Sequence, residues 1–478
     1  MTIAKSQSAF RKHLLASVVV MLGATVASGA ALAQAANSSA APAAAGSSSA
    51  APAAAGSSSA ATSAAGSSST TQPAAATSSA AQPAAGNGNG QGQNGNGGGN
   101  GAVYVRTDLV SDLQNLAQPA DPNLQNAWGV ASAPGGALWV SDNNDGLSTL
   151  YDGNGVKNPL TITIPLPPGK APPPAAAPTG MVWNPTTAFT VTAGSASAPA
   201  TFIFDTEDGT IVAWNATVDP IASGASTATI VADNSASGAV YKGLAFGTNS
   251  QGNFLFATNF SAGTVDVFDS TFKPATLDGN FSDPNIPAGF APFGIANIDN
   301  NLFVTYAQQN ATKDDEITGP GLGFVDVFST NGVLIKRFAS GGNLNAPWGV
   351  ARATQNFGQF SNDILIGNFG QGQFGGQINA FDGSNGNFHG ALQDANGQPI
   401  SIDGLWAVVF GTFSHSDADT LYYTAGPNQQ QDGLFGKIAA QPASNSAMNG
   451  QGSNNSANGQ GANSTANAQG STSTTSGQ

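Results

Sequence analysis

Short apolar runs, punctuated by glycine and asparagine, fill the middle of the chain and recur in phase. One element is a small-residue triplet after a loop: Trp128-Gly129-Val130-Ala131, Thr179-Gly180-Met181-Val182, Lys242-Gly243-Leu244-Ala245, Phe293-Gly294-Ile295-Ala296, Trp348-Gly349-Val350-Ala351 and Gly404-Leu405-Trp406-Ala407. The six copies return every ~50 to 65 residues, a period that signals a repeat architecture. A second element follows each: Leu138-Trp139-Val140, Phe202-Ile203-Phe204, Phe254-Leu255-Phe256, Leu302-Phe303-Val304, Ile364-Leu365-Ile366 and Leu421-Tyr422-Tyr423. Runs of this length, rich in aromatic and β-branched residues, read as buried strands.

A third element is the clearest. Gly209 to Trp214, Gly263 to Phe268, Gly323 to Phe328 and Gly376 to Phe381 share one pattern, with weaker versions at Leu147 to Tyr151 and Gly433 to Ile438. Alternation in the second of these puts Val265 and Val267 on one face. Fourth strands are less regular, at Thr161 to Ile164, Thr227 to Val231 and Val333 to Phe338. Each unit is thus a meander of three or four antiparallel strands that cannot bury both faces alone. Packing six of them radially solves that problem. The predicted fold is all-β, a six-bladed β-propeller over 103–440. Val103 to Val110 is an orphan strand in this scheme, placed to complete the last blade and close the ring. A pair of β-sandwiches is the rival fold, and six in-phase copies weigh against it.

The ends differ in kind. Lys5, Arg11 and Lys12 precede an apolar run from Leu14 to Val26 and the pattern Ala31-Leu32-Ala33. This reads as a cleavable signal peptide over 1–33, too short for a membrane anchor. Residues 34–102 are low complexity, with a ten-residue Ser/Ala/Pro/Gly unit at Ser47 to Gly56 repeated from Ser57 to Gly66, then Asn/Gly/Gln repeats. The tail, 441–478, is similar in composition. Neither carries charge or enough apolar bulk to offset the entropy of ordering, so both are expected to be disordered spacers.

Charge and cysteine narrow the function. The chain holds 27 Asp and Glu against 13 Lys and Arg, a formal charge of −14, and no cysteine. The acidic balance argues against nucleic-acid binding. Without cysteine there is no disulfide, thiolate metal site or cysteine nucleophile.

The chain resembles a family of bacterial secreted proteins with an NHL-like propeller, often bearing a PEP-CTERM sorting tail. The resemblance rests on Asp108 to Asp112, Asp121 to Leu124 leading into Asn126 to Gly129, Leu138 to Asp142 before Ser148 to Tyr151, Phe202 to Gly209, Tyr241 to Leu244, Ala291 to Ile295 and Asn345 to Gly349. It implies the fold and export, and no particular activity. No PEP-type motif, apolar segment or basic terminus follows Ala440, so exosortase-type anchoring is not expected.

In a propeller the starts of the inner strands share a face with the loops between second and third strands. Those loops carry Asp142, Asn143, Asp145, Asp205, Glu207, Asp208, Asp314, Asp315, Glu316 and Asp432 against one base, Lys313. The face is therefore expected to be acidic, with Trp128, Phe293 and Trp348 near the channel mouth. Trp128, Phe293, Trp348, Asn259 and Asn368 are candidates to bind a ligand. Asp142, Glu207 and Asp208 are candidates for a Ca²⁺ site, since hard cations want several oxygens at once. The competing reading outweighs this one: Asp and Asn before Gly are ordinary turn formers, and Trp before Gly can simply pack between blades. Asp142 to Gly146 lacks the distal Glu of a calcium loop.

Histidine is nearly absent: His13 falls in the signal, and His389 and His415 fall in different blades. That excludes multi-His metal chemistry. Ser414-His415-Ser416-Asp417 holds the residue types of a triad, but triads assemble from distant segments. The sequons at Asn215, Asn259 and Asn310 carry meaning only in a glycosylating host. No catalytic constellation stands out. The favoured reading is an exported, non-catalytic binding or surface/matrix protein, monomeric, with a cell-surface or matrix component as partner and no nucleic acid or membrane span. The alternative is a calcium-dependent hydrolase or lactonase at the channel mouth, an analogy of fold alone.

Overall fold

The structure is a computed structural model and describes residues 103–441. The expected signal and linker, and all of the expected tail but Gln441, lie outside the described residues.

Six sheets form the blades. Blade 1 runs through Ala127–Ser132, Leu138–Asp142, Leu147–Tyr151 and Thr161–Thr163, and blade 2 through Pro178–Trp183, Phe202–Thr206, Thr210–Trp214 and Thr229–Asp233. Blade 3 has three strands, Tyr241–Asn249, Gly252–Asn259 and Thr264–Phe268. Blade 4 comprises Phe290–Ile298, Asn301–Gln309, Phe324–Ser329 and Leu334–Ser340, and blade 5 Pro347–Arg352, Ile364–Asn368, Ile378–Phe381 and Phe388–Ala391. Blade 6 takes Leu405–Phe410, Thr420–Ala425 and Leu434–Gln441 from the end of the chain and its fourth strand, Val103–Ser111, from the beginning. That closing pair is antiparallel, from Val103 opposite Gln441 to Ser111 opposite Leu434.

The apolar core has one cluster for each junction between neighbouring blades. Period-two alternation sorts the side chains. On the second strand of blade 2, Phe202 and Phe204 pack toward blade 1 with Trp139 and Leu150, while Ile203 packs toward blade 3 with Leu244 and Leu255. On blade 5, Ile364 and Ile366 face blade 4 and Leu365 faces blade 6. Val265 and the less buried Val267 both face blade 4, as their alternation predicts. Tyr104 shows what the closing strand adds. Its ring lies 5.0 Å from that of Phe357, and its hydroxyl donates to the Phe357 carbonyl at 3.0 Å, tying blade 6 to blade 5.

The outer strands differ most from expectation. Blade 5 has a fourth strand, Phe388–Ala391, too short to read from sequence, whereas blade 3 has three strands, in line with the lack of a further apolar run after Phe268. A hairpin, Thr190–Ala193 with Ala196–Pro199, is inserted between the first two strands of blade 2. Ala225–Thr227 leaves that blade to pair in parallel with Thr161–Thr163 of blade 1. Among the described residues no helix is long and apolar enough to cross a membrane.

Candidate functional site at the channel mouth

Every inner strand carries the same irregularity. Ala127 pairs with Asp142 but Val130 with Val140, so the first strand gains one residue on the second. The same slip falls between Pro178 and Met181, Tyr241 and Leu244, Pro292 and Ile295, Pro347 and Val350, and Leu405 and Val408. These are β-bulges, which re-aim a side chain and sharpen the local twist. The six repeat triplets are therefore bulges. They place Trp128, Thr179, Lys242, Phe293, Trp348 and Trp406 at equivalent positions. In the sixth copy Trp406, not Gly404 as the sequence pattern suggests, takes the place of Trp128, and Ala407 takes the place of the glycine.

The glycine that follows the bulge residue in the first five blades answers to close approach. A Cβ on Gly129 would lie 2.2 Å from the Thr179 carbonyl oxygen of the next blade, and one on Gly294 2.3 Å from that of Trp348. The inner strands touch backbone to backbone there. Thr258 and Thr424 of the second strands donate to the carbonyls of Phe293 and Trp128 in the neighbouring blades.

Aromatic rings fill the axis at this level. Trp128 stacks on Trp406 with ring centroids 3.6 Å apart and planes 14° from parallel. Phe369 stacks on Trp406 at 4.0 Å, and Trp348 meets Trp406 edge-on at 6.0 Å. Phe293, Phe260 and Trp128 are buried with them, and Trp348 is half-buried. Trp406 donates from Nε1 to Asn126 Oδ1 at 2.9 Å, and Trp348 donates to the Lys242 carbonyl at 2.7 Å.

Lys242 caps this plug. Its side chain is fully buried, with Nζ 5.2 Å from the Trp128 ring centre. The ammonium donates to Glu207 Oε1 at 2.6 Å and Asp315 Oδ1 at 3.2 Å and stands 4.0 Å from Glu316 Oε2. Burial works to discharge it, but Glu207, Asp315 and Glu316 together more than offset burial, and its pKa is raised. Glu316, with a side chain 3% exposed, is pushed up to about 8, first by burial and then by repulsion from Asp315; Lys242 pulls the other way without overcoming them. Asn143 links the cluster to the plug. It donates to Glu207 Oε2 at 3.1 Å and accepts from Asn126 Nδ2 at 3.1 Å.

The face is thus acidic as expected, but its central charge is a base. Lys242 stands on a strand, outside the loops whose charges mark this face; its signal in the sequence is a lysine among three tryptophans, a phenylalanine and a threonine at the repeat position. Trp128, Phe293 and Trp348 come together on the axis. Asn259 and Asn368 do not join them. Asn259 donates to Asp266 at 2.9 Å and accepts from Ser261 within its own turn. Asn368 donates to the carbonyls of Asn343 and Phe374 and accepts from Asn345 N.

The three carboxylates proposed for calcium do not converge either. Glu207 is engaged by Lys242 and Asn143. Asp208 accepts from Ala177 N at 3.0 Å. Asp142 is wholly buried beside Thr149, and burial raises its pKa well above the ordinary carboxylate range, which suits a neutral acid rather than a metal ligand. Among the described residues no group of three or more His, Asp or Glu side chains is placed to hold a metal ion. His389 bonds Asp363 and His415 bonds Asp152, each as a surface pair.

No protein-family model matches the chain. Two proteins of Acanthamoeba polyphaga mimivirus do: "Uncharacterized protein R648", 33% identical over 337 residues, 69% of this chain and 78% of that one, and "Uncharacterized protein L690", 33% identical over 341 residues, 69% and 84%. The chain belongs to the family of these mimivirus proteins. Solved structures that resemble it include the PQQ-bound aldose sugar dehydrogenase of Streptomyces coelicolor (15% identity, TM-score 0.40, 72% of this chain and 99% of that one). Virginiamycin B lyase of Staphylococcus aureus is another (12%, 0.38, 71% and 99%). The relatives are viral, so the bacterial source and sorting tail implied by the resemblance find no support in them.

Proposed function

We propose that this protein is a non-catalytic binding module that presents its loop face to a partner. The observation that carries this reading is the filled axis. The place where a small substrate would enter a propeller is occupied by the Trp128–Trp406 stack, and the ammonium of Lys242 caps it. A calcium ion at the mouth would share that space with a buried positive charge, and like charges a few ångströms apart repel strongly in a poorly solvated site. Asn259 and Asn368, the neutral oxygens a calcium site would need, are spent on their own loops. The calcium-dependent hydrolase therefore has no observation in its favour.

Export belongs to the same proposal. It is supported by Lys5, Arg11 and Lys12 before an apolar run and Ala31-Leu32-Ala33. The partner is then a cell-surface or matrix component.

The test assays the purified full chain on lactones, carboxylic esters and phosphoesters with and without Ca²⁺, and records melting with and without chelator. No turnover above blank and an unchanged melting temperature are expected. Turnover that disappears in Glu207→Gln would overturn the reading.

A further inference from the structure

At the rim of the same face, between the loops of blades 5 and 6, a cleft of about 370 Å³ opens. Gln371, Gly372, Ser401, Asp403, Asn428 and Gln429 line it, together with three more glycines of the blade 5 loop. Both walls are held from behind. Buried Asn345 donates to the carbonyls of Gln371 at 3.0 Å and Gln373 at 3.1 Å and accepts from Gly319 N at 2.8 Å. Asn368 fastens the same loop through the Phe374 carbonyl at 3.0 Å.

The opposite wall is strained. Asn428, Gln429 and Gln430 stand in succession at φ 56°, 56° and 65°, a left-handed run that residues with a Cβ resist. It is pinned at both ends. Asn428 N donates to Asp403 Oδ2 at 2.9 Å, and Asn126 Nδ2 donates to Gln430 Oε1 at 3.2 Å. Strain over-determined in this way is characteristic of segments that present side chains to a ligand. Asn428 and Gln429 are exposed on the cleft.

The lining selects the ligand class. It holds no cation, which phosphate or carboxylate ligands require. It holds no aromatic or aliphatic side chain, as an apolar ligand would need. It offers the Gln371 and Gln429 amides, the second amide hydrogen of Asn428 beside the one given to Asp432, a Ser401 hydroxyl that donates to the Gly375 carbonyl and so is left an acceptor, the Asp403 carboxylate and bare glycine backbone. These are closely spaced donors and acceptors suited to adjacent hydroxyl groups. The volume lies at the low end of small-molecule sites, about 300–1,000 Å³. We infer that the cleft between the blade 5 and blade 6 loops binds a neutral carbohydrate; this rests on the reading of the protein as a binding module and names its ligand class.

The test is binding of the full chain to an array of neutral and acidic oligosaccharides, followed by calorimetry on the best-bound neutral one. Gln429→Gly removes an amide where glycine suits the backbone. Gly372→Asn puts a side chain into the cleft at a position where an added Cβ meets nothing within 4 Å, and asparagine tolerates a positive φ. Each is expected to weaken binding tenfold or more without lowering the melting temperature. The inference is overturned if no neutral glycan binds, if acidic glycans are preferred, if CaCl₂ alone gives the binding heat, or if both variants bind like the wild type. Loss of glycan binding with no turnover sinks the carbohydrate and leaves the binding module. Turnover dependent on Glu207 sinks the binding module and leaves the cleft to be judged on its own variants.

Discussion

Trp128 of the first blade lies flat against Trp406 of the last, with ring centroids 3.6 Å apart, where the ring of blades closes. Strand Val103–Ser111 seals that junction at the periphery and the indole stack seals it at the axis. Trp406→Ala removes a wholly buried indole that also touches Phe293, Phe369 and Trp348, and large-to-small changes of this kind cost about 3–5 kcal/mol. Urea denaturation should show that loss in Trp406→Ala and a smaller one in Trp348→Ala, whose ring is half-buried. Equal losses would mean that the stack adds nothing to closure.

Lys242 holds two loops from different blades by their carboxylates. Lys242→Met should destabilise by about 3–5 kcal/mol, because the carboxylates stay buried without a counter-charge. Adding Glu207→Gln and Glu316→Gln to Lys242→Met should restore a substantial part of that loss, since the one carboxylate left, Asp315, is 41% exposed and water can solvate it in place of the ammonium. Equilibrium denaturation of the single and triple variants decides the point. A triple variant no better than the single would show that packing of the lysine stem, not charge, is what matters.

Asp205 stands where other blades carry a hydroxyl or glycine on the second strand. The Thr179 hydroxyl lies 2.8 Å from Asp205 Oδ1 and 2.9 Å from the Tyr241 carbonyl. One hydroxyl has one proton, so both contacts are satisfied only when Asp205 is protonated and donates to Thr179. Burial agrees, pushing the Asp205 carboxyl up to about 7. Between about pH 4, where an unfolded Asp ionises, and pH 7, the folded protein keeps a proton that the unfolded chain releases. Stability must therefore fall as pH rises through that window. Glu316, up to about 8, extends the decline upward. Melting temperature should be higher at pH 5 than at pH 8, and Asp205→Asn should flatten much of the slope. A wild-type melting temperature that climbs from pH 5 to 8 would refute this account. Asp283, with its pKa held down by Asn285 N and Arg337 against burial, acts in the opposite sense at the acid end. Its contribution is lost as pH falls below the ordinary carboxylate range.

The fold was legible because each blade repeats three strands whose alternation serves two interfaces at once, as Phe202, Ile203 and Phe204 do. The sixth copy does not align by its glycine, because Ala407 stands where the others keep glycine and Gly404, three residues earlier, is a false match. Asn259 and Asn368 looked like ligand residues because a turn-forming amide and a ligand-binding amide are the same side chain; only their partners distinguish them. The carbohydrate cleft left no trace in composition. It is made of glycines and amides that, read along the chain, are ordinary loop, and it exists because two loops distant in sequence face each other.

The closing strand also fixes an order of events in synthesis. Val103–Ser111 is the first of the described strands to be made, yet its partner Leu434–Gln441 is the last. Until then Val103–Ser111 has no strand to pair with, and its hydrogen-bonding edge stays open to other chains. Blades 1 to 5 can form as they emerge, whereas the ring can close only once Leu434–Gln441 has been made, so a truncation that removes that strand would be expected to harm this protein far more than the few residues lost would suggest.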